Sequence, residues 1–211
     1  MTGRLAAIFA AALLLAGTAP ARAGDPASQA RSVRVLYGLE WGYDATVLSS
    51  YHRNYLDATD GFRIDEKNTA PMFYSNGHAN AHVTLEFAKR FGLGIYAGYA
   101  GIQERTRFYP VSLRFSYFFN NYSEDSNFVF LEGGAGVNDK RSTVSPFGKL
   151  GYGHRVRLTE RASIDFSAAL RCVGDNPPIY DPSIQGYVEK ENIRRSDALF
   201  GSIVFAISLN F

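Results

Sequence analysis

The sequence holds a single cysteine, Cys172, in 211 residues, so no internal disulfide can staple it. It has almost no net charge: 22 Lys and Arg against 20 Asp and Glu leave +2, and no nucleic-acid partner is expected. Beyond the N-terminal segment no apolar run approaches the roughly 20 residues that a membrane-spanning helix needs. Helical periodicity of useful length, heptads, low-complexity tracts and linkers are also missing, which leaves one domain. Metal chemistry finds little support. In "GHANAH", His78 and His82 stand four apart. On a helix that spacing suits a metal, but on a strand it is about 13 Å, too far for one zinc. "GGAG" (Gly133–Gly136) is followed by no helix pattern and is no phosphate cradle. No cofactor is expected.

What is present begins with "MTGRLAAIFAAALLLAGTAPARAGD". One cation, Arg4, precedes an apolar run from Leu5 to Ala16, followed by Gly17, Pro20 and the small-x-small triplet Ala21-Arg22-Ala23. This is the layout of a secretory signal peptide. It predicts a signal of residues 1–23, a short periplasmic N-terminal segment at 24–31 and a folded unit at 32–211.

The composition is 46% hydrophobic and 14% aromatic, and the period shows where those side chains go. In the last stretch Leu199, Gly201, Ile203, Phe205, Ile207, Leu209 and Phe211 share one parity; Phe200, Ser202, Val204, Ala206, Ser208 and Asn210 share the other. Period two means a strand. Seven further segments alternate likewise: about 32–44, 78–89, 93–102, 108–119, 128–137, 147–158 and 162–173. Each is near the 9–11 residues that cross a bilayer at a tilt. The connections 89–92, 120–127 and 157–161 read as turns at one end. At the other, 45–77 and 174–196 are long while 103–107 and 138–145 are short. The prediction is an all-β fold, an eight-stranded antiparallel up-and-down transmembrane β-barrel.

A soluble lipocalin-like carrier would also alternate, with its apolar face inward. The second face decides against it. That face carries Gly38, Gly42, Gly94, Gly98, Gly134, Gly136, Gly151 and Gly153, with Ser112, Ser167 and isolated charges. Small residues suit the narrow interior of about eight strands and make little sense against bulk water. Aromatics gather near strand ends as a girdle, with Trp41 and Tyr43 at one rim and Tyr117, Phe119 and Phe211 at the other.

The alternation running back from Phe211 through Leu209, Ile207 and Phe205 resembles the assembly signal of bacterial outer-membrane barrels. The chain resembles the small OmpA/OmpX-like single-domain barrels, including those of unknown function in Bacteroidota. That resemblance implies a cell outer-membrane location. It also implies outer-membrane lipids, lipopolysaccharide and the barrel-insertion machinery as partners. It departs from full-length OmpA, since no peptidoglycan-binding sequence follows the strands, and no cell-wall tether is expected.

Parity sends nine charges inward: Arg34, Glu40, Glu86, Arg114, Glu132, Lys149, Arg155, Asp165 and Arg171. Arg34 lies near Glu86 and Arg155 near Asp165, while Glu132 stands between Arg114 and Lys149. Confined charges without partners are costly, so a lumen plugged by salt bridges is expected rather than a selectivity ring or a proton path. Binding is expected at the loops 45–77 and 174–196; the first opens with residues that still alternate, so its strands can extend beyond the membrane as a hairpin, and in the second Lys190, Arg194 and Arg195 read as a solvated rim, with contact to anionic headgroups as the alternative. The enzymatic alternative is a lipid A-modifying barrel. No His-x-Ser pair of the deacylase kind occurs, because His52, His78, His82 and His154 are followed two places on by Asn54, Asn80, Thr84 and Val156. An acyltransferase-like reading would use Asp44, Ser49, Ser50, His52, Asp57 and Asp60, treated as loop residues; no catalytic residue is assigned.

Overall fold

Alternation with apolar residues on one parity makes each segment a strand whose two faces meet different surroundings. The computed structural model describes residues 33–57, 61–103, 106–138, 144–181 and 183–211. The expected signal peptide at 1–23 and the segment 24–31 lie outside the described residues. The long strands are β1 (Arg34–Leu56), β2 (Arg63–Phe87), β3 (Phe91–Gln103), β4 (Thr106–Phe118), β5 (Ser126–Asn138), β6 (Val144–Arg157) and β7 (Ser163–Asp175). The two-residue strands β8 (Tyr180–Asp181) and β9 (Gly186–Tyr187) follow, then β10 (Ile193–Asn210). Eight strands close a barrel in the order β1-β10-β7-β6-β5-β4-β3-β2, every pair antiparallel. Closure removes the free edges that a bilayer would not tolerate. The seam joins β1 to β10 from Gly38↔Asn210 upward. Two backbone bonds, Tyr37 N–H to Phe211 O at 2.9 Å and Phe211 N–H to Tyr37 O at 2.8 Å, finish it.

The apolar face points outward. Leu131, Leu150 and Leu170, in register on β5, β6 and β7, are 63%, 62% and 63% exposed. A soluble carrier would bury this face. At the short-turn end Phe91 packs on Phe87, Phe115 and Tyr117, and Tyr117 on Phe119. Nearer the other end Trp41, Tyr43, Tyr99 and Tyr109 face outward, and the last two touch edge-on. Tyr117 and Tyr109 lie eight residues apart on β4, about 26 Å along the strand, so an apolar band separates two outward-facing aromatic groups.

Two expectations need correction. The segment 45–77 is not a loop: β1 runs on to Leu56 and β2 starts at Arg63, paired throughout except for a bulge at Thr46/Leu48. The extension forms because β10 from Ile193 supplies a third strand and because the inner side chains have partners. Tyr51 and Met72 pack on a cluster of Ala100, Phe108, Phe147, Val173, Ala198 and Phe200, while Tyr55 meets Ile179 and Val188 from the 174–196 connection. The second correction concerns Trp41, which is not at a strand end. It lies opposite Ala79 and Ile207, and β1 continues well beyond it.

Glycine is required where the interior is tightest. A Cβ on Gly42 would sit 2.1 Å from the Phe205 carbonyl oxygen and 2.6 Å from the His78 ring. Gly42→Ala should therefore destabilise the barrel by about 1–3 kcal/mol through overpacking, read as a lower urea midpoint in lipid. An unchanged midpoint would mean that the His78 ring does not lie across β1.

Candidate functional site: the charged lumen

β4, β5, β6 and β7 place Arg114, Glu132, Lys149 and Arg171 on one hydrogen-bonded row, each opposite the next. All four are buried. Glu132 is the hub. Arg114 donates to its Oε2 from Nε at 2.8 Å and Nη2 at 2.6 Å. Ser112 Oγ donates to Oε1 at 2.8 Å, and Lys149 Nζ lies 3.2 Å from Oε1. Arg114 also spans the lumen, with Nη1 2.6 Å from Glu40 Oε2 on β1. Its guanidinium lies over the rings of Tyr96 at 3.9 Å and Phe130 at 4.5 Å. Asn80 Nδ2 donates to Glu40 Oε1 at 3.0 Å.

The row ends in two adjacent cations, Lys149 and Arg171, and the geometry resolves that conflict by sending Arg171 elsewhere. Its Nη1 reaches Asp44 Oδ2 on β1 at 2.8 Å, and Nη2 donates to the Gly101 carbonyl at 3.0 Å. Asp44 is wholly buried, so its placement in an outer loop is corrected: it belongs to the inward column of β1 with Glu40. His78 lies between the two groups, Nδ1 3.1 Å from Asp44 Oδ1 and Nε2 3.7 Å from Glu40 Oε1.

A separate group occupies the short-turn end. Arg155 binds Asp165 by two bonds, Nε to Oδ1 at 2.7 Å and Nη2 to Oδ2 at 2.8 Å, and its Nη1 bonds Glu86. The expected Arg34–Glu86 pairing is thus altered. The two are register partners, but the Glu86 carboxylate turns across the lumen to Arg155. Both charge groups are enclosed by apolar side chains. Phe118, Tyr122, Phe128, Phe130, Ala169 and Val204 pack at the lower level, and the cluster around Phe108 and Phe147 closes the hairpin end.

Several lumen residues escaped the sequence reading. His82 stacks on Tyr96 with centroids 4.4 Å apart and its Nε2 lies 2.9 Å from Asn210 Oδ1. Inward parity was the available signal for Asp44, His78, His82 and Asn210, and nothing in parity identifies cross-lumen partners. Among the described residues no group of three or more His, Cys, Asp or Glu could hold a metal.

The residues weighed for lipid chemistry are dispersed. Asp60 lies outside the described residues. Ser49 Oγ faces the Ala70 carbonyl at 3.5 Å, Ser50 Oγ pairs with Thr69 Oγ1 at 2.8 Å, and His52 Nε2 lies 2.7 Å from Asp65 Oδ1. The His52 ring holds the exposed Asp65 carboxyl below the usual range. Phe205, Ile207 and Leu209 form the outward column of β10, each opposite an outward residue of β1: Tyr43, Trp41 and Leu39.

No family model matches the sequence, and no curated protein matches it. Solved structures do resemble it. The outer membrane protein OprG from Pseudomonas aeruginosa aligns over 83% of this chain and 95% of its own, at 13% identity and a TM-score of 0.51. Neisserial surface protein A aligns over 85% and 99%, at 7% identity and a TM-score of 0.44. The outer membrane protease OmpT from Escherichia coli aligns over 84% and 96%, at 9% identity and a TM-score of 0.41. The fold shared with OprG, together with the closed sheet and the outward apolar band, makes this chain a small eight-stranded barrel of the outer-membrane type.

Proposed function

We propose that this barrel is a non-conducting, non-enzymatic scaffold that holds the β1–β2 hairpin and the 174–196 connection at the cell surface. One observation carries the reading: charges at two levels of the lumen neutralise one another between apolar clusters. An ion path needs polar groups that are free to exchange partners with a moving ion. Here Arg114 is held by two carboxylates and two aromatic faces, so an entering ion would have to break a buried pair. The hairpin supports the display role, because paired strands project beyond the last β2–β3 pair at His78↔Ala100 and binding sites are commonly borne on such projections from rigid scaffolds.

Purified protein in a planar bilayer should give no discrete conductance steps. Regular single-channel openings from the wild-type chain would overturn the plug.

A further inference from the structure

The outer wall of the β2–β1–β10 sheet changes character in steps as it leaves the barrel. Residues two apart on a strand share a face and lie about 7 Å apart, so pairing across the three strands defines rows. The lowest row is Pro71, Leu48 and Gly201. The next is Thr69, Ser50 and Leu199, and the one above is Lys67, His52 and Asp197. Apolar, hydroxyl and charged side chains thus follow one another over about 14 Å. The apolar row continues the outward surface that carries Tyr43 and the 79%-exposed Phe73. This is the order of surroundings met on passing from acyl chains into a headgroup layer.

A shallow groove of about 430 Å³ opens here, lined by Ser50, His52, Lys67, Thr69, Asp197 and Leu199 among others. Its charges are committed except for one. Asp65 is taken by His52. Asp197 accepts from Arg195 Nε and from Asn176 Nδ2. Among the described residues, no ion pair or hydrogen bond engages the Lys67 ammonium, although its charge is felt by Asp65 two residues away on the same face, and the mutually bonded Ser50 and Thr69 hydroxyls stand beside it. A cation without a hydrogen bond, beside a hydroxyl pair with one proton to spare at a headgroup level, matches a phosphate group.

We propose that this groove binds the phosphate of an anionic lipid in the surrounding leaflet, with Lys67 neutralising it, the Ser50–Thr69 hydroxyl pair donating the one proton that its mutual bond leaves free, and Leu48 and Leu199 meeting the upper acyl chain. The inference rests on the membrane reading of this face. It goes beyond scaffolding by assigning a site and a ligand class.

The test uses full-length protein refolded in neutral detergent and native mass spectrometry with phosphatidic acid, its phosphate-free counterpart diacylglycerol, and inorganic phosphate. Lys67→Gln should bind phosphatidic acid roughly tenfold more weakly than wild type, as for loss of one charge-assisted contact. Arg161→Gln, in the exposed short turn at the opposite end of the barrel, should bind as wild type does. Equal binding by Lys67→Gln, or equal retention of diacylglycerol, overturns the site. Displacement of the lipid by millimolar inorganic phosphate overturns the lipid as the source of the phosphate. Heat-modifiable gel mobility confirms that each variant is folded. Failure of the wild type to float with liposomes would instead remove the membrane reading beneath the proposal.

Discussion

Glu132→Gln should cost the barrel about 3–5 kcal/mol, the range for removing one partner of a buried charge group. The side chain keeps its size, so packing is not the cause. Glu132 is 2% exposed and receives three groups at once: Arg114, Lys149 and Ser112. An amide has one acceptor oxygen and turns its NH₂ towards donors already there. Arg114 keeps Glu40, whereas Lys149 is left beside Arg171 on the same row with its acid removed. Glu66→Gln supplies the comparison. Glu66 is exposed on the β2 extension and accepts a weak bond of 3.4 Å from Tyr51, so its loss should stay under about 1 kcal/mol. Urea unfolding in lipid separates the two. Insertion should persist in both, because the outer face is unchanged. Equal small shifts would mean that the lumen pairs contribute nothing to holding the barrel.

Leu150→Arg should cost about 2–4 kcal/mol in a bilayer, the range for a cation near the midplane of a barrel's lipid face. Leu150 is flanked in register by Leu131 and Leu170, and all three are outward. On a wall facing water the same change should fall within about 0.5 kcal/mol. The substitution therefore reports which medium the outer face meets, independently of the lumen. A midpoint in lipid unchanged from wild type would place this row outside the apolar band.

Much of this is legible in the sequence, for a local reason. A strand's faces alternate by geometry, so a run such as Val129, Phe130, Leu131, Glu132 sorts itself into outward and inward residues without knowledge of its neighbours. The eight strands, their antiparallel order and the inward set from Arg34 to Arg171 follow from that parity and from short connections. Adjacent-strand pairs such as Arg155–Asp165 and Arg114–Glu132 follow as well, because consecutive strands pair.

Contacts across the lumen had no such signal. Glu40 reaches Arg114 and Asp44 reaches Arg171 between strands that are not hydrogen-bonded neighbours. Their meeting depends on barrel diameter and register. The hairpin is legible only in its opening residues, which still alternate: the bulge at Thr46/Leu48 shifts the parity of β1, so the length of the paired extension does not follow from the pattern. Alternation within each strand by itself determined that this chain is a barrel with an apolar exterior and a charged interior. Only closure of the sheet decided which charges meet and where β1 ends, because those depend on distances across the ring and on partners that a single strand does not contain.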